Sequence, residues 1–143
     1  MTLNNEALNG RLSSERETVP DIAVVLVCWN NKEYLGPCLR SLYEAGLSHS
    51  FEVVVVDNGS SDGSQEMLSR DFPEVIIVQN RGNVGLGRAS NQGIQATFGK
   101  YILLLNNDTI VNGPSLEKMA DFLDENPRGS KLYDTLISAC SKL

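Results

Sequence analysis

The apolar positions fall into short continuous runs separated by polar turns. Ile22 to Cys28, Phe51 to Val56, Val75 to Val78 and Tyr101 to Leu105 carry almost no polar residue. Runs this short, rich in β-branched valine and isoleucine and bounded by turn formers, predict strands buried on both faces, as in a parallel sheet. Between them the period changes. Tyr34, Leu35, Cys38, Leu39, Leu42 and Tyr43 recur at helical spacing, with Gly46 at the C-cap position. Ser64 to Arg70 predicts a short helix, its start marked by Asp62 and Gln65 as a capping box. Arg88 to Phe98 predicts a third helix. Gly113-Pro114 opens a fourth, whose buried face is Leu116, Met119, Ala120, Phe122 and Leu123. Thr109 to Val111 reads as a short continuing strand.

Strands and helices thus alternate four times. The pattern predicts an α/β fold, a Rossmann-like, mostly parallel sheet with flanking helices. The carboxyl ends of parallel strands share one edge, and ligands of open α/β sheets bind along it. Trp29-Asn30, Asp57 and Asn106-Asn107-Asp108 each end a strand, so these groups are expected to converge there. Residues 1–20 are polar and read as a flexible leader, residues 21–127 as the domain. In the tail, residues 128–143, Leu132, Tyr133, Leu136, Ile137 and Cys140 repeat at helical spacing and predict a short helix.

Charge narrows the ligand. The 143 residues carry a net charge of −6 without a Lys/Arg cluster, which argues against nucleic acid as a partner. An anionic ligand would then need a divalent cation. Three cysteines, Cys28, Cys38 and Cys140, have no ligand spacing and read as reduced thiols of a cytoplasmic protein. Peripheral docking at the inner face of the cell membrane stays open, but no apolar run is long enough to span a bilayer.

The chemistry at the edge has two readings at each point. Asp57 accepts hydrogen bonds only, which suits the imino N–H of uracil or thymine; equally, Asp57-Asn58-Gly59 is a turn former. Trp29 can lie flat on a base or ribose, or simply pack. Asn106-Asn107-Asp108 offers the hard oxygens that suit Mg2+ or Mn2+, or an Asx turn at a strand end. Gly85-Leu86-Gly87 lets backbone approach a ligand, but Ser90 stands where a dinucleotide fingerprint has its third glycine, and the loop follows the third strand, not the first. The single histidine, His49, lies in a helix-to-strand connection and reads as a surface residue.

Four stretches in order resemble family 2 glycosyltransferases of the GT-A fold: Cys28-Trp29-Asn30, Val53 to Ser64, Asn83-Val84-Gly85 through Asn91-Gln92-Gly93-Ile94, and Tyr101 to Asp108. The Asn-Asn-Asp turn is similar to that of the rhamnosyltransferase-like branch. The resemblance covers about Ile22 to Asn126 and implies the nucleotide-binding half of such an enzyme. It implies that Trp29, Asn30, Asp57, Asn58, Asn83, Gly85, Arg88, Asn91 and Asn107 bind a UDP- or dTDP-sugar donor. It implies that Asp108 and Asn106 hold Mg2+ or Mn2+, and that sugar passes with inversion to a saccharide or lipid-linked acceptor. The general base of the family lies beyond the metal turn, in an acceptor-binding half. Asp134 is the only carboxylate after Pro127 and reads as a solvated helix face, so no catalytic residue is carried over. The competing expectations are a catalytically incomplete fragment that binds nucleotide or acts as an interaction module, and another doubly wound protein such as a nucleotidyltransferase.

Overall fold

The computed structural model describes residues 18–127. The expected tail helix and most of the expected leader lie outside the described residues. The four apolar runs form one parallel sheet: β1 (Ile22–Cys28), β2 (Phe51–Asp57), β3 (Ile76–Gln79) and β4 (Tyr101–Leu104). Their spatial order is β3-β2-β1-β4. Register runs Ile22 opposite Phe51 through Cys28 opposite Asp57 on one side of β1. On its other side β1 pairs with β4 only from Ile22–Tyr101 to Val25–Leu104. Beyond Val25 the two strands separate.

The two-residue period of the strands sorts side chains onto two faces. Ile22, Val24, Leu26 and Cys28, with Val53 and Val55, face the larger core. That core is closed by α1 (Lys32–Tyr43), α2 (Ser64–Asp71) and α4 (Gly113–Glu125) through Leu35, Leu39, Leu68, Leu116 and Ala120. Val25 and Val54 face the other way, where Ile102 and Leu104 complete a smaller cluster. α3 (Leu86–Gln95) lies over this second face. It comes close because Gly93 has no side chain: a Cβ there would lie 2.3 Å from Val25 Cγ1.

Several expectations need correction. Thr109 to Val111 is not a strand. Phe122 is 59% exposed, so the buried stripe of α4 is Leu116, Ala120 and Leu123. α2 starts after Gly63, in a left-handed conformation (φ 85°), not in a capping box. Asp62 accepts from the Ser64 amide (3.1 Å) and the Lys32 amide (2.9 Å), and Gln65 turns to Asp57 instead. α3 begins two residues earlier than expected and ends at Gln95, leaving Phe98 exposed. α4 is capped by Asn112, whose side chain accepts from the Ser115 amide at 3.0 Å.

Candidate donor-binding site

A cleft of about 460 Å³ opens where β1 and β4 separate. This is the switch point of the strand order, because β2 lies on one side of β1 and β4 on the other. Val25, Val27 and Leu104 form its floor, Leu86 and Ser90 of α3 one wall, and Asn106 to Asp108 another. Trp29 stands at the rim, 52% exposed. The lining is rich in amides, with Asn31, Asn58, Asn83, Asn106 and Asn107, and holds one carboxylate, Asp108. Asp108 is exposed, so its oxygens are open to a cation or to water.

Two buried asparagines shape this space. Asn107 donates to the Val27 carbonyl at 2.8 Å, and the Leu105 amide donates to the Val25 carbonyl at 2.9 Å. The side chain thereby carries the sheet ladder one step past its last backbone pair. Asn58, 2% exposed, links the end of β2 to the glycine-rich loop. Its Oδ1 accepts from Asn80 Nδ2 (3.0 Å) and the Val84 amide (3.2 Å), and its Nδ2 donates to Asn83 Oδ1 (3.1 Å). Asn80 and Gln92 exchange a pair of amide hydrogen bonds at 2.8 and 3.0 Å, tying that loop to α3. Backbone meets backbone where Gly59 touches Gly82: a Cβ on Gly59, whose φ is +82°, would sit 2.6 Å from Gly82 Cα.

Of the residues expected to bind donor or metal, Trp29, Asn58, Asn83, Asn106, Asn107 and Asp108 line the cleft. Gly85, Arg88 and Asn91 are exposed on the loop and on α3 but are not part of its lining. Asn30 points elsewhere: its Oδ1 accepts from the Ser61 amide at 2.8 Å, and φ is +52°. Asp57 is not part of the cleft lining. It continues the Val53–Val55 side of β2, toward α2, and is 0% exposed. Its Oδ1 accepts from the Ser60 amide (3.0 Å), and its Oδ2 from Gln65 Nε2 (2.7 Å) and Gln79 Nε2 (2.8 Å). Three of roughly four acceptor positions are filled. Asp57 and Asp108 share the carboxyl edge, but only Asp108 faces the cleft. Sequence reasoning missed Asn31, Ser90 and the two glutamines; only the partnering of Asp57 reveals the latter.

Cys28 and Cys38 are free thiols, and Cys140 lies outside the described residues. Burial pushes the Cys38 thiol up to about 11, with the Asp108 charge adding to the effect, so it stays protonated. Cys28 is also buried, its Sγ beside Ser64 Oγ at 3.5 Å. Among the described residues no helix is long and apolar enough to cross a membrane.

Known proteins resemble this chain in sequence and fold. The chain is 27% identical over 122 residues to the poly-beta-1,6-N-acetyl-D-glucosamine synthase of Staphylococcus epidermidis, covering 82% of this chain and 29% of that protein. It is 29% identical over 109 residues to the glycosyltransferase GlyG of Streptococcus pneumoniae, covering 73% and 35%. Among solved structures, S. aureus TarS 1-349 in complex with UDP-GlcNAc superposes with a TM-score of 0.66 at 26% identity, over 75% of this chain and 32% of that one. The fold is also that of the mannosyltransferase PcManGT from Pyrobaculum calidifontis, solved with GDP-Man and Mn2+ (TM-score 0.66, 19% identity, 83% of this chain and 38% of that one). The chain spans about a third of the length of these relatives. The model of glycosyl transferase family 2 matches residues 23–134, across the whole sheet and the cleft, and the chain belongs to that family.

Proposed function

We propose that this chain is the donor-binding half of an inverting glycosyltransferase, and that the cleft between β1 and β4 takes a UDP- or dTDP-sugar with Mg2+ or Mn2+. The observation that carries the reading is Asp108, an exposed carboxylate on a strand-end turn in an otherwise uncharged cleft. Its oxygen, with the side-chain oxygen of Asn106, is the hard donor set such a cation takes, and the site fits the ion. The cation would offset the diphosphate and the charge growing on it as a leaving group. Trp29 offers an aromatic face to base or ribose. The backbone about Gly85, with φ +86°, lies bare at the mouth of α3, and Arg88 and Asn91 are within the same stretch for the phosphates. TarS, solved with UDP-GlcNAc, supports a uridine nucleotide. The Asn-Asn-Asp form of the turn supports a rhamnosyl-type donor, and a cytoplasmic location at the inner membrane face, with a saccharide or lipid-linked acceptor, goes with it.

The test is calorimetry with UDP and dTDP, with and without Mn2+. Metal should strengthen binding at least tenfold in the native chain and not in Asp108→Asn, whose thermal stability should be unchanged because the side chain is exposed. Equal binding with and without metal would remove the metal role of Asp108. Sugar transfer or donor hydrolysis by the 143-residue chain would exclude the reading as a fragment without turnover.

A further inference from the structure

The wall of the cleft that the glycine-rich loop and the start of α3 build has little packing to place it. Residues 81–88 are all exposed. A Cβ added at Gly82, Gly85 or Gly87 would meet nothing within 4 Å. α3 settles on the sheet further along, where Ala89 and Gly93 are buried. Yet Asn83, Leu86 and Ser90 of this stretch line the cleft. Something other than apolar contact holds them there.

A chain of side-chain amides does so. Asn80 Nδ2 donates to Gln92 Oε1 (2.8 Å), and Gln92 Nε2 donates back to Asn80 Oδ1 (3.0 Å). Asn80 Nδ2 also donates to Asn58 Oδ1 (3.0 Å), which accepts from the Val84 amide as well. Asn58 Nδ2 donates to Asn83 Oδ1 (3.1 Å), and that oxygen takes the Gly85 amide too, at 2.8 Å. The chain thus leaves the middle of α3, crosses the ends of β3 and β2, and returns to the residue before α3 begins. Asn80 uses both its N–H groups and its oxygen, so turning it over would set N–H against N–H and oxygen against oxygen. Each amide in this way fixes the sense of the next. Gln92 and Asn80 are only half-buried, so water can satisfy them when the pair is broken. The fold does not need the pair; the orientation of the chain does. Neither residue lines the cleft.

We propose that Gln92, acting through Asn80 and Asn58, is a positioning residue for donor binding. It touches no ligand. It sets where Asn83 and the start of α3 stand against the floor of the cleft. This role rests on the reading of the cleft as the donor site. With the pair broken the wall is still present but free to shift, and a ligand must then order it at a cost in affinity.

The experiment is calorimetry of the full chain with UDP and Mn2+, well below the melting temperature. Gln92→Met keeps the side-chain length and removes both bonds. Its Kd for UDP at pH 7.5 should rise roughly five- to twentyfold, the loss of one or two hydrogen bonds, with little change in melting temperature. Gln92→Glu supplies a rescue. Ionised, that carboxylate still accepts from Asn80 Nδ2 but sets an oxygen against Asn80 Oδ1; protonated, its O–H donates to that oxygen and both bonds return. Its Kd, relative to the native chain at the same pH, should be raised at least about fivefold at pH 7.5 and fall to within about twofold at pH 4.5, near the ordinary glutamate pKa of ~4.3. Gln92→Met should show no such recovery. A merely structural role would lower the melting temperature of both variants and leave the affinity of the folded chain at the native value at both pH values. That result overturns the proposal, and so does a Gln92→Glu chain that stays weak at pH 4.5. Should the native chain itself bind neither UDP nor dTDP, with or without Mn2+, the donor reading of the cleft fails, and the positioning role falls with it.

Discussion

Replacing Asp57 with alanine separates two roles that its position allows. As a free base reader it would leave stability nearly untouched when lost and would alter only nucleotide preference. The structure instead gives it three donors: the Ser60 amide and the side-chain amides of Gln65 and Gln79. Hydrogen bonds to a charged acceptor contribute roughly 1.5–3 kcal/mol each. The loss is discounted because Gln79 is exposed and Gln65 half-buried, so both can turn to water. The Ser60 amide, on a tight loop, has less freedom. The net expectation is a destabilisation of about 2–4 kcal/mol, within the range for breaking a buried polar network. Urea unfolding with tryptophan fluorescence reads it directly, since Trp29 is the only tryptophan and stands on the neighbouring strand end. Asp57→Asn should cost a similar amount, because its new N–H group would face one of the donors. A loss under about 0.5 kcal/mol, the size of an ordinary surface substitution, together with lost preference for UDP over GDP, would refute the reasoning and return the residue to base recognition.

Two other outcomes follow from particular contacts. Gly93→Ala places a Cβ 2.3 Å from Val25 Cγ1, so α3 must lift from the sheet; about 1–3 kcal/mol of stability should be lost, with weaker donor binding beside it, by unfolding and calorimetry. For His49, burial pushes the imidazole down, but the nearby Glu117, Asp124 and Asp121 carboxylates outweigh it and its pKa rises above the ordinary 6.5. A raised folded value stabilises fully below the unfolded one and is lost as pH climbs through the folded one. Melting temperature in metal-free buffer should therefore fall as pH rises above about 6.5, and His49→Gln should flatten that slope.

The sheet was legible because its strands are buried on both faces. Runs such as Val53 to Val56 have no competing helical period, and their order and parallel sense follow from alternation with helices. Element ends were less legible. Phe122 was expected in the core because period alone cannot tell that the sheet ends at β4 among the described residues, leaving that side of α4 uncovered. The cleft was found through its strand-end motifs, and Trp29 and Asp108 face it. The surroundings of Asp57 and His49 are hidden from the sequence for one shared reason. Whether a polar side chain is open or satisfied depends on partners remote in sequence, Gln79 for one and Glu117 for the other, and no local pattern encodes those meetings.

The stitch made by Asn107 also decides what kind of guest the cleft excludes. Wherever two parallel strands part, the carbonyls along the gap invite an extended peptide to lie in as an additional strand. Here Leu105 and Asn107 already occupy the Val25 and Val27 oxygens. A stray chain segment would have to compete with these two donors for the carbonyls, which favours guests that bring their own shape and charge.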